Sequence, residues 1–149
     1  MADVRLIAGP LDPGAELTAF AACRPRAGGV ASFTGQVRAG DGTELLELSH
    51  YAPLTLPGME AIAAAAEVRW PLEGLLVVHR TGQMAPGAAI VLVAAAAKHR
   101  RDAFEAADFV MDHLKSTAFF WKRERRGGTW HWIEPRDQDG RDVSRWYRD

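Results

Sequence analysis

The chain has 149 residues, 48% of them apolar and 25% charged, with a formal net charge of −1. That length suits one domain with its own core, and the near-neutral balance argues against a general polyanion binder, leaving only local basic patches. The single cysteine, Cys23, excludes an internal disulfide framework and a multi-cysteine metal site.

A reducing cytoplasm is the default setting for such a chain. Cys23, near alanines at the end of an early helix, reads as a buried small hydrophobe. The opening residues Met1 to Arg5 carry no signal-peptide pattern. Apolar stretches such as Ala88 to Ala97 are too short to span a bilayer.

Val4 to Ala8 reads as a strand. Asp12 followed by Pro13 is an N-cap with proline at the first helical position, opening a helix to about Cys23. Val30 to Val37 and Leu45 to Tyr51 alternate as strands, and the turn Ala39 to Gly42 between them suggests a hairpin. Pro53 and Pro57 bound an irregular entry to a helix that runs to about Trp70, with Met59, Ile62, Ala66 and Trp70 on one stripe.

Leu75 to Arg80 reads as a strand and Gly82 to Gly87 as a loop. Ala89 to Ala97 is an unbroken apolar strand, buried on both faces. Arg101 to Lys115 is a second long helix, with Phe104, Ala107, Met111 and Leu114 as its core stripe. Phe119 to Arg125 and Thr129 to Glu134 form a hairpin around Gly127 and Gly128. A polar tail follows, from about 137 to 149. The expectation is a single α+β domain over 1–149, with a mostly antiparallel sheet and two to three helices packed on it.

Chemistry concentrates at Asp112-His113-Leu114-Lys115-Ser116-Thr117-Ala118-Phe119-Phe120-Trp121-Lys122-Arg123-Glu124. Lys115 ends the helix and Lys122 lies in a strand, each beside large apolar side chains. Partial desolvation lowers a lysine's pKa and makes it a better proton donor, amine nucleophile or anion clamp. Each lysine also has a bland reading: Lys115 complements the helix dipole, and Lys122 makes a surface pair with a cross-strand carboxylate.

Lys98-His99-Arg100-Arg101 places positive charge at a helix N-terminus. That is unfavourable unless an anion sits there; a solvated basic loop is the alternative. The helix is about 20 Å long, so His99 and Lys115 cannot line one small pocket of one chain. A symmetric dimer would bring a second copy's His99 and Arg100 to the first copy's lysines.

The histidines show no metal-ligand spacing, and there is no phosphate loop, dinucleotide fingerprint or nucleophile elbow. Trp121, Trp130 and Trp132 among basic residues could stack single-stranded nucleic acid. On a hairpin they are more often core on one face with charge on the other.

From Gly28 to Trp146 the chain resembles the MoaE family, the large subunit of molybdopterin synthase. The likeness rests on Ser32-Phe33-Thr34-Gly35 with Val37-Arg38, His50-Tyr51, Arg69-Trp70-Pro71-Leu72, and Val78-His79-Arg80 with Gly82. It continues through His99-Arg100, Ala103-Phe104-Glu105, Met111-Asp112, Leu114-Lys115, Trp121-Lys122-Arg123-Glu124, and Trp132-Ile133-Glu134 with Arg136. Three places depart from the family: the insertion Ala52 to Pro57, the short Ala39-Gly40-Asp41 turn, and Phe119 where a proline is common.

The resemblance implies a hammerhead-like fold and a cytoplasmic sulfurtransferase. Its substrate would be cyclic pyranopterin monophosphate (precursor Z), converted to molybdopterin by installing the dithiolene sulfurs. Sulfur would come from the C-terminal Gly-Gly thiocarboxylate of a small ubiquitin-like subunit, with a homodimer at the centre of a heterotetramer. It implies Lys115 and Lys122 as catalytic and Phe33, Arg38, His99, Arg100, Met111 and Arg136 as substrate-binding. It asks for no cofactor or metal, no nucleic acid and no membrane. The rival readings are a non-catalytic module holding a ubiquitin-like partner and an RNA-binding domain built on the Trp-rich hairpin.

Overall fold

The computed structural model describes residues 1–116 and 119–148, leaving Thr117, Ala118 and Asp149 outside. The elements are β1 (Asp3–Ile7), α1 (Pro13–Ala22), β2 (Gly29–Gln36), β3 (Leu45–His50), α2 (Ala52–Arg69), β4 (Leu72–Arg80), β5 (Gly82–Met84), β6 (Ala89–Ala97), α3 (Arg100–Ser116), β7 (Phe120–Arg126), β8 (Thr129–Ile133) and α4 (Asp137–Ser144). A 3-10 turn over Arg145–Tyr147 follows. Among the described residues no helix is long and apolar enough to cross a membrane.

Two four-stranded sheets result, ordered β1-β4-β6-β2 and β5-β3-β7-β8. All pairings are antiparallel except β1 with β4. The α+β expectation holds, with four helices among the described residues rather than two or three.

The unbroken apolar run of β6 has a direct cause. Val91, Val93, Ala95 and Ala97 face one core with α2 and α3 residues, while Leu92, Ala94 and Ala96 face another with Phe20 of α1. A strand covered on both faces has no solvent side on which to place polar residues. In α1, Asp12 accepts a hydrogen bond from the Ala15 N–H at 3.1 Å and proline sits in the first turn, as read from the sequence.

Several readings need correcting. β2 and β3 are not a hairpin: β2 pairs with β6, and β3 with β5 and β7. The turn between them holds Gly40, Asp41 and Gly42 at positive φ and carries the chain from one sheet to the other. The 82–87 loop contains strand β5.

α2 starts at Ala52, so the insertion through Pro57 is helical rather than irregular. Pro53 is accommodated because first-turn N–H groups have no intrahelical acceptor. Pro57 lies inside the helix, and its neighbour Thr55 reaches back to accept from the Tyr51 N–H at 3.3 Å.

In α3 the core stripe runs through Ala103, Ala106, Phe109 and Val110 as well as Ala107, Met111 and Leu114, while Phe104 is 57% exposed. Cys23 is also exposed, because it caps the end of α1 beyond the buried face.

The polar tail is ordered. Arg145 bonds Asp112 at 2.6 Å and Asp108 at 2.6 Å, and the Trp146 indole N–H donates to Asp112 at 2.7 Å. The Trp146 ring meets Trp70 and Phe109 edge-on at 5.6 and 5.4 Å. Tertiary packing of this kind makes a helix from a segment too polar to show an apolar stripe.

Candidate active site

A cleft of about 1010 Å³ opens between the two sheets and the C-terminal end of α3. Phe33 and Arg38 enter from β2 and the residues after it, Lys115 from the last turn of α3, Lys122 from β7, and Arg136 with Asp139 from the start of α4. Five of the eight sequence candidates therefore share one concavity. Met111 lines an adjoining hollow of about 360 Å³, into which Phe33 and Lys115 also project. His99 and Arg100 lie exposed at the opposite end of α3 and line neither space.

The chain has three lysines against fifteen arginines, and two of the three meet in this cleft. Arginine cannot shed its proton near neutrality, whereas lysine can.

Lys122 faces Leu48 on one side and Ile133 on the other, so the surface pair with a cross-strand carboxylate does not form. Its amine comes within hydrogen-bonding contact of Lys115. The Lys115 pKa is lowered to about 8, first by burial against the cleft wall and then by the Lys122 cation, while Asp139 pulls it upward. By surface area Lys115 is an exposed residue, because it opens onto the cleft while protein rises around its stem. Water still reaches the ammonium, so the shift falls short of that of a sealed lysine.

Two of the cleft's carboxylates are engaged by side chains that also line it. Glu124 bonds Arg126 at 2.7 Å and accepts from the Thr43 hydroxyl at 3.0 Å, and Asp139 lies 3.7 Å from Arg136. Among the described residues Arg38 and Lys122 have no ion-pair partner. A mobile anion entering the cleft would meet cations that are not already neutralised.

Beneath the lysines lies His79 of β4, 5% exposed, its ring stacked on Phe120 with centroids 3.9 Å apart. Its Nδ1–H donates to the Arg80 carbonyl at 3.0 Å. Desolvation lowers its pKa to about 4, so it is neutral at pH 7.

Asp139 is the site residue that the sequence reading missed. Its signal was present: acids at Asp137 and Asp139 just after Arg136 mark a helix N-terminus. The tryptophans of the β7–β8 hairpin also differ from expectation. Trp121 and Trp132 are 45% and 66% exposed, and Arg123 rather than core covers Trp130, at 4.3 Å.

Known proteins resemble this chain in sequence and in fold. The family model described as MoaE protein matches residues 6–117. A Caulobacter vibrioides protein called molybdopterin synthase catalytic subunit is 47% identical over 92% of this chain and 92% of its own length. A Ralstonia nicotianae protein of the same name is 44% identical over 98% of this chain and 85% of its own. The solved structure of a molybdopterin biosynthesis MoaE protein from Burkholderia ambifaria superposes with a TM-score of 0.85 at 40% identity, covering 100% of both chains. On sequence and fold together, this chain belongs to the MoaE protein family.

Proposed function

We infer that the chain is the catalytic subunit of a molybdopterin synthase, a sulfurtransferase working in the cytoplasm. It takes sulfur from the C-terminal thiocarboxylate of a small ubiquitin-like subunit and delivers it to cyclic pyranopterin monophosphate. The observation that carries this reading is the meeting of Lys115 and Lys122 in a cleft that also holds Arg38 and Arg136. Both reactants are anionic, one a thiocarboxylate and the other a phosphate ester, and the cleft's cations, of which Arg38 and Lys122 have no ion-pair partner among the described residues, bring them together.

When sulfur attacks the pterin side chain, Lys115 is placed to supply a proton, to steady the developing oxyanion, or to accept the spent acyl group. Lys122 assists as the second cation. Phe33 and Met111 provide the apolar wall, and Arg38 and Arg136 hold the phosphate.

His99 and Arg100 serve the site of a second copy. In this reading a twofold axis sets two α3 helices antiparallel, so that each copy's Arg100 end reaches the other's Lys115 end. The exposed Phe33 and Phe104 and the open edge of β2 support such a contact.

The test is single-turnover sulfur transfer from a thiocarboxylated partner. Lys115→Ala should lower the rate roughly 10²- to 10⁴-fold while partner binding persists. Near-normal transfer by the variant would remove the assignment. A module that only holds the partner would bind it equally well and transfer no sulfur.

A further inference from the structure

The start of β7, where the chain leaves α3 and heads for Lys122, is held at three points. The Thr55 hydroxyl, on a side chain with no exposed surface, donates to the Phe119 carbonyl at 2.8 Å. One turn further along α2, Gly58 lies against the Phe119 ring so closely that a methyl group there would overlap it. Phe120, the next residue, stacks its ring on His79 at 3.9 Å with the planes 21° apart.

Two consecutive elements that are remote in the chain from this dipeptide, α2 and β4, thus grip it. Lys122 lies two residues beyond it on a strand already paired to β3 and β8. Lys115 lies four residues before it, at the end of a helix whose Met111 and Leu114 are buried. Once α3 and β7 are each packed, the seat of Phe119 and Phe120 sets how near the two amines lie.

We propose that Thr55 and Gly58 of α2, with His79 of β4, are positioning residues that seat Phe119 and Phe120 and thereby fix the approach of the Lys122 amine to that of Lys115. None of the three touches the cleft's contents; each acts through the backbone or ring it holds. The segment Ala52 to Pro57, which departs from the family in sequence, is on this account part of the site's framework. The consequence for turnover rests on the sulfur-transfer reading; the consequence for the lysine pair does not.

The test follows the amine directly. Only three lysines are present, so reductive ¹³C-methylation gives few side-chain signals, and Lys115→Arg identifies that of Lys115. The groups facing it are Lys122 on β7, Asp139 on α4 and Arg136 just before α4, and all remain unchanged in the variants.

In Thr55→Val the donor is lost, and in Gly58→Ala the ring is displaced while alanine, the stronger helix former, preserves α2. The Lys115 titration should move from about 8 toward the ordinary lysine value of about 10.4 in both. Single-turnover sulfur transfer should fall roughly 10- to 100-fold, the scale of an ångström's misplacement. Thr55→Ser, which keeps the hydroxyl, should restore both.

Folded variants whose Lys115 titrates as in the wild type overturn the proposal. Should Thr55→Val fail to fold, Gly58→Ala decides alone, because it removes no hydrogen bond. A moved titration with unchanged sulfur transfer upholds the positioning and instead overturns the part given to the lysines in catalysis.

Discussion

Two ionisable side chains tie the site to pH. With a pKa of about 8, Lys115 is mostly protonated at neutrality yet can lose its proton within reach of it. If it acts as a proton donor, the transfer rate falls as pH rises through about 8; if its amine attacks the acyl carbon, the rate rises to a plateau there. A pH profile of single-turnover transfer separates the two.

His79 links to stability instead. Its folded pKa of about 4 lies below the ordinary 6.5, so between those values the unfolded chain binds a proton that the folded one refuses. Stability from this group is complete above about 6.5 and is lost as pH falls toward 4. His79→Phe, which preserves a stacking ring, should flatten the acid limb of urea-denaturation stability over that window. An unchanged limb would mean that other groups carry the acid sensitivity.

Among the elements, α3 and the C-terminal segment depend on each other. Asp112 receives both Arg145 and Trp146, and Arg69 lies over the rings of Phe109 and Trp146 at 4.9 and 5.8 Å. Trp146 is only partly buried, so Trp146→Ala should cost less than the roughly 3–5 kcal/mol of a fully buried tryptophan. A loss of about 2 kcal/mol, or about 5 °C in Tm, is expected. Because α4 presents Arg136 and Asp139 to the cleft, pterin binding measured by calorimetry should weaken in the same variant. Unaltered affinity would separate the strap from the site.

The elements also show where sequence reading works. β6 and α3 were legible because their burial patterns are extreme, one apolar on both faces and the other striped. The β7–β8 hairpin was legible from its glycine pair, with Gly127 and Gly128 both at positive φ. The partner of β2 was not, since alternation marks a strand without saying which edge it joins. Phe104 was misplaced because helical spacing alone does not say where a stripe ends. The α4 helix escaped notice because it shows no apolar stripe of its own and is anchored by the turn that follows it, through Arg145 and Trp146.

At the scale of the whole molecule, the separation of His99 from Lys115 by the length of α3 makes a definite prediction about assembly. Lys115→Ala and His99→Ala chains are each expected to be nearly inactive alone. Mixed and allowed to exchange, half of the dimers become hybrids, and each hybrid holds one site with both groups intact. Activity should recover to about one quarter of wild type. Verified hybrids that stay inactive would place His99 outside the reaction. The cleft's membership was largely readable in advance, since Phe33, Arg38, Lys115, Lys122 and Arg136 converge there. The His79 stack was not, because it depends on which elements come to lie against one another.

The alanines of β6 carry a consequence for anyone seeking a sturdier variant. Ala94 to Ala97 have no exposed surface, and Ala95 faces α3 while Ala94 faces α1. Enlarging Ala95 to valine would overfill that seam, at a cost of about 1–3 kcal/mol, and the helix that gives way is the one ending in Lys115. The same enlargement at Ala94 would press on α1, which has no share in the cleft. Two adjacent methyl-sized side chains therefore differ in what they protect: one guards only compactness, the other also the placement of the Lys115 amine.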